Sequence, residues 1–303
     1  MSSLSPLSSP SDASAAAPAN LSGLSGLAGV LMVVVPAASW GTWSLFVRSA
    51  NLPPTVSTPL IFLVMGLVAL PLGLRSRRVR FDRATVSLIA LSAAFDGLNM
   101  LAFFSAIAHT TIAIAVLTHY LAPILIALAA PRIDGVVARG AGFAAAIALA
   151  GLVIILEPWH APANGAVIGA LCGTASAFCY AGNTFTMRRL AARIGAARAL
   201  SYHALLIALV LSPLLISHLG DITVRQVAVL SAASATIGAI SGVVFTLGLL
   251  RIGSARAAIL SFAEPVVAVA LGALVWGEAL HPIALLGGAL VLGAGIEVAR
   301  KAR

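Results

Sequence analysis

The chain has 303 residues, of which 60% are hydrophobic and only 9% are charged, and its mean hydropathy is +1.07. A soluble domain carries about 25% charged residues, so this composition excludes an ordinary soluble protein and indicates an integral membrane protein. The formal net charge is +9, but the arginines stand in short breaks between apolar segments, which favours membrane topology over nucleic-acid binding.

Residues 1–25 are rich in Ser, Ala and Pro, and Asp12 is their one charged residue. No basic stretch precedes an apolar stretch there, so the sequence does not predict a cleaved signal peptide. A disordered N-terminal tail is the expected structure for this composition.

Beyond the tail, the chain consists of long apolar runs separated by breaks with Arg, Pro, Gly and Asn. A helix needs roughly 20 apolar residues to cross a bilayer. The runs are continuous and lack the alternation of a membrane β-barrel, so we predict an all-α membrane protein with ten transmembrane helices. The ten segments are 27–47, 56–74, 84–107, 111–130, 138–156, 165–187, 198–217, 226–249, 254–275 and 281–299.

The sequence repeats itself, because residues 67–154 align without a gap with residues 209–296 at a shift of about 142 positions. A shift of about 140 positions aligns Arg48 with Arg188. Many secondary transporters are built from duplicated bundles of this kind. We therefore predict two five-helix repeats, at residues 26–157 and 164–303. The aligned pairs include Pro71 with Pro213, Arg83 with Arg225, Pro123 with Pro265, and Gly151 with Gly293.

The distribution of basic residues predicts the orientation. If the N-terminus is cytoplasmic, all basic residues except Arg48 and Arg225 fall in cytoplasmic breaks or the C-terminal tail. Five crossings per repeat is an odd number, so the two repeats must be inverted relative to each other. Arg48 and Arg225 are the repeat partners of Arg188 and Arg83, so inversion explains both exceptions. Both termini are expected on the cytoplasmic side.

Two motifs in the second half resemble those of a known family. The segment from Ser261 through Glu264 and Pro265 reads Ser-Phe-Ala-Glu-Pro, and Gly277-Glu278-Ala-Leu is followed by several glycines. They resemble the S-x-x-E-P and G-E-x-L segments of the ten-helix exporters with two EamA-type repeats in the drug/metabolite transporter superfamily. The likeness covers about residues 27–299. The first half departs from the pattern, since Ala122 stands where a Glu would precede the proline.

The resemblance implies a carrier in the cell inner membrane that exports amino acids or related metabolites and needs no cofactor. It also implies that the first four helices of each repeat surround a central cavity, with the fifth and tenth helices outside. Four aromatic residues leave open an exporter of aromatic amino acids: Trp40, Trp43, Tyr120 and Tyr180.

Asp96 is the first candidate binding residue, because a charged side chain at membrane depth is costly and marks a functional site. Ser92, Asp96, Asn99 and Phe103 follow each other at helical spacing and form one polar stripe on the third segment. The stripe either hydrogen-bonds a neighbouring helix or lines a cavity, and we favour the cavity. The repeat partners of Asp96 and Asn99 are Gly238 and Ser241.

The fourth and ninth segments supply further candidates. His119 and Tyr120 precede Pro123, and Glu264 precedes Pro265. A proline removes one backbone hydrogen bond and loosens the helix, so both prolines are predicted hinges. His119 is expected either to donate to a substrate carboxylate or to bond a neighbouring helix. Glu264 could bind an ammonium group or carry a proton, but we favour a structural or gating role.

The remaining candidates lie on the first, sixth and seventh segments. Trp40 and Trp43 correspond by the repeat to Tyr180 and Asn183, and they are either interfacial anchors or walls of a cavity. His203 is a weaker candidate on the seventh segment. Two cysteines, Cys172 and Cys179, show neither a disulfide nor a metal-binding pattern, and no metal site is expected.

The leading hypothesis is export of small amino acids or similar zwitterions by alternating access between the repeats. The ammonium group would meet Asp96 or an aromatic face, and the carboxylate would meet His119, Asn183 or a hydroxyl group. The expected partners are a small solute and the lipid bilayer, and protons are a possible coupling ion. An antiporter of phosphorylated metabolites, drugs or cations is the alternative. No metalloprotease, hydrolase or phosphate-loop motif is present, so we do not expect an enzyme.

Overall fold

The computed structural model describes residues 19–74, 81–135, 138–160, 165–216, 218, 220, 222–277 and 281–301. All regular structure within these ranges is helical, which confirms the prediction of an all-helical protein for the described residues. Arg75, Arg77, Arg78, Arg80 and Glu278 lie outside them. The helices are α1 (Ala19–Trp40), α2 (Trp43–Ala50), α3 (Pro54–Leu74), α4 (Arg83–His109), α5 (Ile112–His119), α6 (Ala122–Ile133), α7 (Ala141–Leu156), α8 (Ala166–Ile194), α9 (Ala196–Ile216), α10 (Val224–Ala233), α11 (Ser241–Ile252), α12 (Ser254–Leu260), α13 (Ala263–Trp276) and α14 (Pro282–Arg300). A 3₁₀ turn (Pro158–His160) follows α7, and a π-helix (Ser234–Ile240) joins α10 to α11.

Nine stretches of the described chain are long and apolar enough to cross a membrane. Each matches one of the ten predicted segments. The remaining segment, the fifth, forms α7, which has 16 residues. At 1.5 Å per residue this helix is about 24 Å long, shorter than the roughly 30 Å hydrocarbon core of a bilayer. Helix α1 begins at Ala19, inside the stretch predicted as a disordered tail, and residues 1–18 lie outside the described residues.

Polar side chains fix the N-termini of three helices. Asp82 accepts a hydrogen bond from the backbone N–H of Thr85 at 2.8 Å and begins α4. Thr111 caps α5 in the same way, and Thr223 forms a capping box with Gln226 at α10. These caps satisfy backbone donors that have no partner inside the helix, so the helix starts are encoded locally.

Three predicted helices are interrupted, where the sequence predicted continuous segments. Breaks separate α1 from α2 at Gly41, α5 from α6 at Tyr120 and α12 from α13 at Phe262. Pro123 and Pro265 stand shortly after the second and third breaks and cannot donate a backbone hydrogen bond to the preceding turn. Gly41 lies so close to α13 that an added Cβ would be 2.5 Å from the carbonyl oxygen of Glu264.

Four helix pairs form the most extensive contacts of the bundle: α4 with α8, α3 with α9, α7 with α14, and α1 with α11. In the second pair Gly66 faces Leu205 and Gly73 faces Arg198, so these two helices are antiparallel. In the third pair a Cβ added at Gly151 would lie 2.6 Å from the Gly287 carbonyl oxygen. The missing side chains let these two backbones approach closely.

Candidate functional site

Five side chains form a continuous chain of hydrogen bonds across α5, α8, α4 and α9, which we call the polar chain. His119 Nδ1 lies 2.7 Å from Ser176 Oγ, and Ser176 Oγ lies 2.7 Å from Asn99 Oδ1. Asn99 Nδ2 donates to Asp96 Oδ1 at 3.4 Å, and Asp96 Oδ2 lies 3.1 Å from His203 Nε2. Four of the five residues were candidates from the sequence.

The antiparallel packing of α4 against α8 assembles most of the polar chain. Asp96 and Asn99 are three residues apart, so they share the face of α4 that meets α8. Two turns away on the same interface, Ser92 Oγ donates to Asn183 Oδ1 at 2.7 Å. The predicted polar stripe of α4 therefore faces another helix along much of its length. It also contacts α9 through His203.

Asp96 and His119 are less buried than the other three residues of the polar chain. Ser176 is fully buried, and Asn99 and the ring of His203 are almost fully buried. The side chain of Asp96 is 18% exposed. The carboxylate is thus a point at which a small cation could reach the polar chain without displacing a helix.

The hydrogen-bond directions can be assigned from the chemistry of each group. Asn99 Oδ1 accepts only, so the hydroxyl of Ser176 donates to it. That hydroxyl proton is then used, and Ser176 Oγ must accept from His119. His119 therefore carries a proton on Nδ1, and its Nε2 remains available as an acceptor when the ring is neutral.

Aromatic rings surround His119. The ring centroids of Phe103, Tyr120 and Tyr180 lie 4.8, 5.4 and 5.4 Å from that of His119. Tyr120 also contacts Phe262, at 5.2 Å, across the two helix breaks. This aromatic group includes Tyr180, one of the residues considered as a cavity wall, but neither Trp40 nor Trp43.

Glu264 lies in the first turn of α13, directly after the third break. Its carboxylate interacts with the hydroxyl of Tyr120, and Ser261 in the same break interacts with the hydroxyl of Tyr180. Glu264 therefore contacts the aromatic group around His119. Tyr120 and Tyr180 connect it to the polar chain. Pro123 and Pro265 are buried in the first turns of α6 and α13, beside their breaks.

Trp40 and Trp43 lie apart from the polar chain. The indole Nε1 of Trp40 donates to the carbonyl oxygen of Ile237 at 3.0 Å, in the π-helix, and its ring lies 4.7 Å from that of Phe245. Trp40 thus connects α1 to the α10–α11 segment. Trp43 is half-buried at the start of α2. The fold therefore does not place Trp40 or Trp43 next to Asp96.

Ser176 was missed by the sequence analysis, although it links two predicted residues. It precedes Tyr180 by four positions and Asn183 by seven, so all three share one face of α8. The same spacing argument that selected the stripe of α4 would have found it. His203 was considered a weaker candidate, yet it is the direct partner of the Asp96 carboxylate.

Ion pairs connect the helix ends on the side where the sequence predicts the cytoplasm. Arg188 on α8 pairs with Asp134, which follows α6, at 3.1 Å, and the Asp134 side chain is 2% exposed. Arg193 on α8 pairs with Asp82, before α4, at 2.5 Å. At the opposite end, Glu157 after α7 pairs with His281 before α14, at 2.9 Å.

Open pockets of the described chain lie at the same end as Arg188. One of about 300 Å³ is bordered by Arg139, Arg256, Glu297 and Lys301, and one of about 230 Å³ by Asp134 and Ser254. Neither of these two pockets is bordered by a residue of the polar chain. Among the described residues, no three His, Cys, Asp or Glu side chains converge as a metal site would require.

The chain is similar in sequence and in structure to known proteins over most of its length. The sequence profile of the EamA-like transporter family matches residues 27–157 and 167–296. An uncharacterised transporter of Archaeoglobus fulgidus is 28% identical over 272 residues, which cover 87% of this chain and 93% of that protein. A solved crystal structure of a protein with 23% sequence identity has a TM-score of 0.76 and covers 90% of this chain and 98% of that one. The latter likeness shows a shared fold.

Proposed function

The chain belongs to the EamA-like transporter family and is a multi-pass membrane protein, and on that premise we propose that it exports small amino acids or similar zwitterions by alternating access. The observation that carries the proposal is the Asp96 carboxylate, which is partly exposed in the middle of α4 and lies in the polar chain between the buried side chains of Asn99 and His203. A charge in that position is costly unless it is used or paired.

The substrate is recognised at its two charged groups. Its ammonium group binds Asp96 through a charge-assisted hydrogen bond. Its carboxylate binds near His119, whose Nε2 can take up a proton and donate, with Asn183 as a second donor. Tyr120 and Tyr180 flank the substrate side chain, because their rings lie next to His119. Apolar side chains suit such a wall.

Alternating access requires two inverted halves, and the helix directions support this. Residues of α3 correspond to residues of α9 at the shift of about 142 positions, and those of α7 correspond to α14. Both pairs are antiparallel, because Gly66 faces Leu205 while Gly73 faces Arg198, and Gly140 faces Lys301 while Gly151 faces Gly287. Equivalent helices of opposite direction are what inversion produces.

The hinges of the movement are the breaks before Pro123 and Pro265. The breaks occupy the same position in the two repeats, and each leaves a short helix on one side and a longer helix on the other. Bending there moves α6 and α13 without unfolding α5 and α12. Glu264 joins the two hinges through Tyr120, and we assign it this structural role.

In the proposed orientation the protein lies in the cell inner membrane with both termini in the cytoplasm. The ion pairs of Arg188 with Asp134 and of Arg193 with Asp82 then hold α4, α6 and α8 together on the cytoplasmic side. Opening toward the cytoplasm requires these pairs to separate. The substrate enters after that step and leaves on the opposite side.

Transport of phosphorylated metabolites is the alternative that the site favours least. The polar chain of the described residues holds a carboxylate and two imidazoles, with no Arg or Lys. Phosphate recognition relies on such cations. An organic cation without a carboxylate would still fit Asp96 and the aromatic rings, so the experiment must distinguish it from a zwitterion.

The test is counterflow in proteoliposomes that contain the full-length protein. Vesicles are loaded with unlabelled leucine or phenylalanine, and uptake of the labelled compound is followed. Competition with the methyl ester, which lacks the carboxylate, and with the N-acetyl derivative, which lacks the ammonium, identifies the recognised group. Empty vesicles are the control.

We expect inhibition by the free amino acid and weaker inhibition by both derivatives. A bound ligand should also raise the apparent melting temperature, by an amount equivalent to about 2.7 kcal/mol at 100 times its Kd. Exchange of sugar phosphates, or full inhibition by the methyl ester, would contradict the proposal in favour of the phosphate or cation carrier.

A further inference from the structure

We propose that Asp96 and His203 form a proton-binding site that gives up its proton when the ammonium group of a substrate reaches Asp96. This inference rests on the proposed function, because it names the coupling ion of the same site. It is carried by the contacts of His203, by the charge that proton loss would leave, and by the unequal exposure of the two side chains.

The contacts of His203 fix where its protons lie. Its Nδ1 is 3.2 Å from the backbone carbonyl oxygen of Ala199, which can only accept, so Nδ1 keeps a hydrogen. Its Nε2 is 3.1 Å from Asp96 Oδ2. Two bare acceptors would repel at this distance, so one further proton lies between them. The pair is either imidazolium with carboxylate or imidazole with carboxylic acid, and both forms have no net charge.

Loss of this proton would leave one negative charge inside the bundle. Such a charge at membrane depth is strongly unfavourable without a counter-charge. Asn99 donates one hydrogen bond to Asp96 Oδ1 but carries no charge. An arriving ammonium group supplies the missing positive charge, so the substrate and the proton stabilise the same carboxylate in turn.

The unequal exposure of the pair gives the exchange a direction of approach. The Asp96 side chain is 18% exposed, whereas that of His203 is 1% exposed. The ammonium group therefore meets the carboxylate first. Asp96 becomes a carboxylate bound to the ammonium, His203 becomes neutral with its hydrogen on Nδ1, and the released proton passes to water on the side that is open. One proton leaves for each amine that binds.

Other titratable side chains face the pair from the helices packed around it. His119 is connected to Asp96 through Ser176 and Asn99, but its Nδ1 proton is already donated to Ser176. The face of α3 toward His203 is apolar there, with the ring of Phe62 at 6.2 Å. Tyr180 on α8 interacts with Asp96, and Glu264 on α13 interacts with Tyr180. On α9 itself, the nearest titratable residues in sequence are Arg198 and Tyr202.

The duplication indicates a single proton site in each protein. The repeat partner of Asp96 is Gly238, in the π-helix, and the side chain added there would contact Met65. The second repeat thus has no carboxylate at the equivalent position. We expect one proton to move against each substrate molecule. Each exchange with a neutral zwitterion would then move one net positive charge, that of the proton, across the membrane.

The first experiment measures proton and substrate movement together in the proteoliposomes described above. A pH-sensitive dye is trapped inside, and the membrane potential is clamped with potassium and valinomycin. At one proton per substrate, each pH unit supports up to about tenfold accumulation of the substrate. His203→Gln should lose the pH-driven accumulation when that accumulation is expressed relative to the variant's own counterflow rate in the same vesicles, so that a general loss of transport is not read as a loss of coupling. His109→Gln, at an exposed histidine at the end of α4, is the matched control.

The outcomes separate this inference from the proposed function. Active counterflow in the wild type without any proton movement overturns the proton site and leaves the amino-acid carrier standing. Accumulation by His203→Gln equal to that of the wild type also overturns it. If no amino acid is exchanged at all, the proposed function fails, and a measurement without substrate decides the proton site.

That second measurement is an NMR titration of the full-length protein labelled with [15N]histidine. The His203 resonance is the one missing from His203→Gln. This resonance should respond to pH in the wild type, and its response should differ in Asp96→Asn, because the proton is shared with that carboxylate. A His203 resonance that does not respond to pH, or that responds identically in Asp96→Asn, overturns the proton site whatever the protein carries.

Discussion

Two helix interfaces of this protein correspond by the duplication but differ in their chemistry. The interface of α4 with α8 contains Asp96, Asn99 and Ser176, and it continues to Ser92 and Asn183. The corresponding interface, of the α10–α11 segment with α1, contains a Ser39–Ser241 hydrogen bond of 3.0 Å and the contacts of Trp40. Residue pairs that the repeat aligns therefore have very different polarity.

The two interfaces share their helix packing but differ in the charge that they contain. Both interfaces join antiparallel helices, because Ser92 meets Asn183 while Asn99 meets Ser176, and Gly29 meets Ile252 while Gly248 meets Val33. The charge occurs on one of them. In the proposed mechanism, a symmetric scaffold permits inward-open and outward-open states, and a single charged interface would serve one substrate and one counter-ion per cycle.

The largest expected effect concerns the inversion on which this comparison depends. In a variant whose two native cysteines are replaced, Arg83→Cys should react with a membrane-impermeant maleimide only from the cytoplasmic side. Arg225→Cys should react only from the outer side, because the aligned positions lie in inverted repeats. Labelling of intact cells against inverted vesicles measures this. Reaction of both cysteines from one side would mean that the repeats are parallel and that the two interfaces do not correspond.

The second prediction removes the charge that distinguishes the two interfaces. Asp96→Asn should lower the rate of substrate counterflow at subsaturating concentration about 10- to 100-fold, since a hydrogen bond to a charged group contributes about 1.5–3 kcal/mol. Glu297→Gln is the matched control, because Glu297 is an exposed carboxylate near the end of α14 that pairs with Lys301. Transport by Asp96→Asn at the wild-type rate would remove Asp96 from the binding site.

The third prediction compares one serine from each interface. Ser176→Ala should lower the free energy of unfolding by about 1–3 kcal/mol, because it leaves Asn99 Oδ1 and His119 Nδ1 buried without this partner. Ser39→Ala, on the other interface, loses a neutral and less buried hydrogen bond and should cost about 0.5–1.5 kcal/mol. The melting temperatures of the two variants in detergent show which substitution causes the larger loss of stability. Equal losses would mean that the polar chain adds no stability beyond an ordinary hydrogen bond.

The smallest effect is expected at the end of the α4–α8 interface. Hydrogen bonds from Thr85, aided by the charge of Arg193, hold the pKa of Asp82 below its usual value of 3.8. A lowered pKa stabilises the fold above 3.8, and this contribution is lost as the pH falls through the lower, folded-state pKa. The melting temperature of Asp82→Asn should thus be slightly below that of the wild type at neutral pH, and the difference should vanish in acid. A constant difference at all pH values would contradict this assignment.

Much of the fold followed from local features of the sequence. Long apolar runs, the prolines and the threonine and aspartate caps act within one or two helical turns. They predicted the helical segments and the loosening at Pro123 and Pro265. The breaks themselves were not predicted, because their geometry also depends on neighbours such as Gly41, which contacts the backbone at Glu264. The length of α7 also differed from expectation, since Gly140 begins that helix later.

The candidate site was predictable only where its residues share a helix. Asp96 and Asn99 were found together because three positions on a helix define one face. His203 lies 107 positions from Asp96 in the chain, and no local pattern relates the two. Trp40 was predicted as a site residue from its residue type, but it lies apart from the polar chain. In the structure it donates its indole N–H to a π-helix carbonyl instead.

The amino-acid sequence was enough to predict a helical membrane protein with a charged residue inside its third segment, because hydropathy and helical spacing depend on residues near each other in the chain. The predicted duplication needed only the alignment of the sequence with itself. The tertiary structure alone decided which helix faces meet, and so joined His119, Ser176, Asn99, Asp96 and His203 in one polar chain. The physical reason is that each residue step turns a helix by about 100°. The face that meets a neighbour is therefore selected by close packing of side chains over the whole bundle.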